Sequence, residues 1–290
     1  MVDEPFDTAG DRLKMFWKRI TKILFLMNGF LICLCSIVNG GEPAIQTRST
    51  YSIVASDTIL AGMAETLLPR GRYFVEAILP PGQCPGHYDV KLSDIEKIQK
   101  ADLVLSFRGM PFMGKIQSAG QNGVVFETNG RNWMVPDSYI LGMNSMAEEL
   151  IRRFPADRNE ILQRKEEAIS HIRAESRILL NKVRQAGLPG QAVLASSMQK
   201  EPLEWMGLRV VGVYGRPETI STREVIRLVR LGRKEKVLAV IDNLQSGPDA
   251  GRSIAQTLTR PHIVLSNFPS ERGYLATLQE NVNTVLAALE

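Results

Sequence analysis

The sequence predicts an α/β protein of two lobes, each a mainly parallel four-stranded sheet flanked by helices, joined by one long helix. Three features carry that expectation. Short β-branched runs alternate with amphipathic segments, the runs fall into two sets of four, and the sets are separated by a long stretch with no internal glycine or proline.

The first set comprises Ser52–Ser56, Phe74–Leu79, Asp102–Phe107 and Val124–Thr128, continuous apolar runs of the kind that parallel strands need when both faces are covered. The helix after the first run opens at Ser56-Asp57-Thr58. The helix after the loop PGQCPGHYD (Pro81–Asp89) opens at Ser93, with Glu96 three residues on as a capping box. The stretch from Ala156 to Gly187 follows Pro155 and ends in Gly187-Leu188-Pro189-Gly190. Its Ile161, Ile169, Ile172, Ile178, Leu179 and Val183 recur close to helical spacing, so it reads as one helix of roughly 45 Å, a stiff hinge allowing the lobes only slight rocking. The second set is Val193–Ser196, Val210–Tyr214, Val237–Asn243 and His262–Asn267. The expected organisation is a signal peptide over residues 1–40, an N-terminal lobe over 50–151, the linking helix over 156–187 and a C-terminal lobe over 190–290.

The signal peptide rests on Lys14, Lys18, Arg19 and Lys22 ahead of the apolar Ile23–Val38, which breaks at Asn39-Gly40-Gly41. That run falls short of the ~20 apolar residues that span a bilayer, so cleavage near Gly40 and work outside the cytoplasm, in the periplasm, are expected. A retained anchor and lipidation at Cys33 or Cys35 are the alternatives. Cleavage would leave Cys84 as the remaining cysteine, without an intramolecular partner.

The net charge of +4 comes from Lys and Arg interspersed among Asp and Glu, a solvated surface rather than a nucleic-acid face, so no nucleic-acid partner is expected. No Walker loop, no G-x-G-x-x-G after a strand, no G-x-S-x-G and no H-E-x-x-H occurs, which argues against an enzyme. His171, on the long helix, and His262, opening a strand, are assigned no role beyond structure.

The stretch PGQCPGHYDVKLSDIEKIQKADLVLSFRG resembles the segment that in periplasmic zinc and manganese binding proteins of ABC importers reads P-G-x-D-P-H-x-Y, then an amphipathic helix, then A-D-L-V. Asn132–Asp137 (NWMVPD), Glu204–Gly215, Val240–Ser246 and Gly273–Leu289 resemble later segments of the same family in the same order. The resemblance runs from about Tyr51 to the C-terminus and implies a fold with a rigid linking helix. It further implies a non-enzymatic, monomeric binding protein whose partners are a divalent transition metal, zinc-like, and an ABC permease to which the metal is delivered.

The family's three histidines and one carboxylate are matched only in part. With Tyr88 aligned to the family's tyrosine, Gly86 stands at the first histidine, His87 one residue later and Cys84 at an aspartate. Arg131, beside Asn132, stands at the second histidine, and the third falls in Ser197-Met198-Gln199; Asp242 fits its position directly.

Because open α/β sheets bind ligands beyond the carboxyl ends of their strands, the loop bearing His87 and the strand end bearing Asp242 are expected to face each other across a cleft. His87, Asp242, Cys84 and Met198 are the candidate metal ligands, and Tyr88, Arg131, Asn132, Trp133 and Gln199 the candidate cleft wall. The competing readings are a buried apolar Cys84, an Asp242 that caps the next helix, a Met198 that packs between lobes and an Arg131 that binds an anion. The last would make the solute an oxyanion, an organic ligand or a metal chelate. An envelope accessory or adhesion role on the same fold is a further alternative.

Overall fold

In the computed structural model, residues 50–115 and 122–289 are described. β1 (Tyr51–Ala55), β2 (Tyr73–Ala77), β3 (Leu103–Phe107) and β4 (Gly123–Phe126) form an all-parallel sheet in the order β2-β1-β3-β4. β5 (Ala192–Ser196), β6 (Arg209–Tyr214), β7 (Val240–Asn243) and β8 (His262–Leu265) repeat the pattern as β6-β5-β7-β8. All eight strands thus lie on runs read from the sequence. Burial follows sheet position: β3, β5 and β7 are buried at every residue, whereas the edge strands β2 and β6 carry exposed positions.

Helices α1 (Thr58–Leu67), α2 (Leu92–Lys100) and α3 (Pro136–Arg153) belong to the first half, and α5 (Lys200–Trp205), α6 (Thr222–Glu235), α7 (Arg252–Leu258) and α8 (Tyr274–Leu289) to the second. Between them runs α4 (Arg158–Gln185), 28 residues long, entered through a single 3-10 turn at Pro155–Asp157. The Asp57 side chain caps α1, accepting from the N–H groups of Ile59 at 2.9 Å and Leu60 at 3.2 Å. The expected Ser93–Glu96 capping box is not formed. α2 begins two residues before Glu96's reach requires, and Asp94 accepts the Lys91 N–H at 2.9 Å instead.

Ile161, Ile169, Ile172, Leu179 and Val183 form the buried stripe of α4, while Ile178, also counted in the sequence pattern, is exposed. That stripe joins Leu103 and Leu105 of the first sheet to Val193 and Ile241 of the second in one continuous apolar core. Smaller cores cover the opposite faces of each sheet. The lobes also touch directly: the rings of Tyr139 and Tyr274 stack with centroids 3.7 Å apart, Tyr274 donates to the Met134 carbonyl at 3.0 Å, and Thr58 donates to the Pro269 carbonyl at 2.8 Å. A shared core and a stiff α4 resist large lobe rotation. The proposed signal peptide, residues 1–40, lies outside the described residues. Among those described, no helix is long and apolar enough to cross a membrane.

Candidate functional site: the cleft between the lobes

Each parallel strand ends on the same side of its sheet, and the loops that follow converge on a cleft of about 430 Å³. Pro85 follows β2, Arg108 β3, Arg131 and Trp133 β4, Met198 β5, Arg216 β6, Gln245 β7 and Asn267 β8, and Ile59 enters from the start of α1. A more open groove of about 780 Å³ lies outside, between β2 and α4 and lined by Phe74, Arg164 and His171. It gathers residues of one lobe and the linking helix alone, so the inter-lobe cleft is the better candidate for a solute site.

Four of the expected cleft residues line it. Trp133 is 7% exposed, with its ring edge-on to Phe107 at 4.6 Å, and forms the floor. Asn132 crosses the cleft: its Nδ2 donates to the Met198 carbonyl and to Asn267 Oδ1, both at 2.7 Å, and its backbone N–H to Glu201 Oε2 at 2.7 Å. Its own Oδ1 accepts the Met134 N–H at 2.9 Å, which fixes the amide orientation. Met198 lines the rim at 44% exposure, and Arg131 is exposed. Asn132→Ala removes the two inter-lobe bonds of its own side chain, and at about 1 kcal/mol each a loss of about 2 kcal/mol is expected in denaturant unfolding. A loss below roughly 0.5 kcal/mol would show the clasp to be energetically idle.

The other expected residues lie elsewhere. Tyr88 is not cleft wall; it packs edge-on to Phe112 at 5.1 Å and donates to Asp94 Oδ2 at 2.8 Å, within the outer face of the first lobe. Gln199 is fully buried behind the cleft, its Nε2 donating to Asn243 Oδ1 at 2.9 Å and to the Leu265 carbonyl at 3.3 Å. Cys84 is half-buried and unbridged. His87 is exposed on the 3-10 turn Pro85–His87 and is not among the residues lining the cleft.

Asp242 does not face His87. It is 0% exposed, both carboxylate oxygens accept the Gly251 N–H at 3.1 and 2.9 Å, and His262 Nε2 lies 2.6 Å from Oδ2. Gly251 is the N-cap residue immediately before α7, so the helix-capping reading of Asp242 describes its contacts. Burial, and then the Asp242 carboxylate, hold the neighbouring Tyr214 phenol protonated far above its ordinary value. Among the described residues no three His, Cys, Asp or Glu side chains stand together as a metal-holding group.

Residues not anticipated from the sequence complete the wall: Glu201, Arg108, Arg216, Gln245 and Asn267. Arg108, Arg216, Gln245 and Asn267 follow strand ends and Glu201 lies in the first turn of α5 beyond β5, so the loop rule that located the cleft was the available signal. Gln245 and Asn267 brace one another, the Asn267 N–H donating to Gln245 Oε1 at 2.9 Å and Gln245 Nε2 to Ser266 Oγ at 2.8 Å.

Residues 53–288 match the family model described as zinc-uptake complex component A, periplasmic (ZnuA). The chain belongs to the ZnuA family. Its members are described as periplasmic components of an uptake complex, a binding rather than an enzymatic class. A Thermotoga maritima relative carrying the name "Putative metal-binding protein" is 22% identical over 93% of this chain and 99% of its own length. The fold is that of a ZnuA crystal structure, with TM-score 0.71 and 13% identity over 83% of this chain and 100% of that one. A manganese-bound periplasmic metal binding protein from Candidatus Liberibacter asiaticus gives the same TM-score of 0.71 at 15% identity, with the same coverage of 83% and 100%. A ZnuA-family fold with a cleft wall of arginines and amides is therefore the structural result.

Proposed function

We propose that the protein is the solute-capturing component of an ABC importer, acting in the periplasm. Its cargo on this reading is a divalent transition metal, zinc-like, held in the inter-lobe cleft and handed to a membrane permease. The observation that carries the reading is the convergence of the loops after β2 to β8, with the start of α1, on one cleft floored by Trp133. Family membership supports the metal and the permease, and the cadmium- and manganese-bound states of structural relatives agree with a divalent cargo.

Trp133 supplies the assay. Titrating the mature chain with zinc or manganese, as simple salts and as complexes with small carboxylate chelators, should change its tryptophan fluorescence to saturation at one solute per chain, and Trp133→Phe should remove most of that change. Absence of binding for every metal form, read also by calorimetry, would overturn the proposal.

A further inference from the structure

The strongest unspent hydrogen-bond donors of the cleft are cationic. Two of its amides are already committed, Asn132 to Met198 and Asn267, and Gln245 to Asn267 and Ser266. Glu201, the acidic lining residue, accepts the Asn132 N–H at 2.7 Å, and Arg108 is paired with Glu127. Arg131 and Arg216 remain, one from each lobe, and neither guanidinium has a hydrogen-bond or carboxylate partner among the described residues.

Both are mounted on fixed backbone. Arg131 closes a turn in which its N–H donates to the Thr128 carbonyl at 3.0 Å, with Asn129 at φ 51° and Gly130 at φ 73°. Two successive positive φ values suit the Asn-Gly pair and few others. The Arg216 carbonyl accepts from both the N–H and Oγ1 of Thr219 at 2.9 Å. Its guanidinium reaches across to the first lobe and lies against Gly86, where an added Cβ would stand 2.6 Å from Nη1. Gly86 leaves the room that the guanidinium occupies in this position. The positive φ in this loop belongs to Gly82.

Two unpaired guanidiniums repel a bare divalent cation and offer up to ten N–H donors in planar forks that match carboxylates. Resting on the reading that this cleft holds the importer's cargo, we propose that the cargo enters as an anion bearing carboxylates, the metal wrapped in a chelator, clamped between Arg131 and Arg216. The metal's coordination shell is then completed by the chelator, which fits the lack of a protein ligand group among the described residues. A metal-free polycarboxylate shares the same recognition chemistry.

Calorimetry on the full chain with zinc chloride, citrate and zinc–citrate separates these sources. Zinc–citrate is expected to bind, with affinity falling about tenfold in Arg131→Gln, about tenfold in Arg216→Gln and about a hundredfold in the double variant, and weakening with added salt. Gly86→Val, which shifts the Arg216 guanidinium from its position, should weaken binding in the same direction as Arg216→Gln but by less. Arg131 is exposed and makes no side-chain bond among the described residues, so its variant tests binding without a folding penalty. Tight binding of zinc chloride that ignores both arginine substitutions would overturn the clamp and leave the metal-importer reading standing. Citrate binding as tightly as zinc–citrate, with loss in the arginine variants, would keep the clamp and overturn the metal cargo. No binding in any arm overturns both.

Discussion

Asp242→Ala is expected to destabilise the protein by about 3–5 kcal/mol, lowering Tm by roughly 10 °C. The carboxylate is wholly buried, and its removal strands the Gly251 N–H at the start of α7 and the His262 imidazole beside it. The cost comes from partners left unpaired in a dry interior, which exceeds what the pair contributes when intact. Solute binding by the folded fraction should be unchanged, because Asp242 does not line the cleft. Denaturant unfolding and calorimetry on the same variant check both parts. An equally stable variant that has lost its solute would show Asp242 to be a ligand after all.

The second large effect is a pH dependence centred on Asp57. This side chain is 0% exposed, and burial raises its carboxyl from the ordinary 3.8 to about 6, opposed by hydrogen bonds from Ser56, Leu60 and Ile59. The folded state therefore holds the proton more tightly than the unfolded chain does. Stability from this group is fully present below pH 3.8 and is lost as pH rises through about 6. Two pKa units correspond to about 3 kcal/mol. Asp57→Asn keeps a good N-cap and removes the titration. Its stability relative to wild type should rise by about 2 kcal/mol between pH 4 and pH 7, as measured by denaturant unfolding at each pH. A difference independent of pH would mean that Asp57 titrates normally in the fold.

Those two residues also mark where the sequence was readable and where it was not. The opening of α1 was legible because Ser56-Asp57-Thr58 separates a buried strand from an amphipathic run, and the structure makes Asp57 the capping residue of the three. The eight strands were legible for a similar reason, since a parallel strand covered on both faces must be a continuous apolar run. α4 was legible because nothing in it breaks a helix, although Ile178 shows that an isoleucine at near-helical spacing still falls outside the buried stripe.

Asp242 was misplaced by one step of the strand pleat. Val240 faces the outer core of the second lobe and Ile241 the central one, so alternation sends Asp242 to the outer side with His262 and leaves Asn243 toward the cleft. The register of β7 with β8 brings His262 opposite Val240, on that same outer side. Nothing local in the sequence gives that pairing. Arg216 was missed because its role depends on Gly86, distant in sequence and brought beside it only by the meeting of the lobes. His87 drew attention by residue type, whereas an exposed position is fixed by how the Pro85–His87 turn sits on the lobe.

The most direct measurement is a crystal structure of the mature chain soaked with zinc–citrate, with data collected at the zinc absorption edge. The account predicts one solute per chain inside the inter-lobe cleft, its carboxylates against Arg131 and Arg216 and any anomalous peak within that density. An anomalous peak on the Cys84–His87 turn, or in the outer groove beside Phe74, with the cleft holding only water, would contradict it.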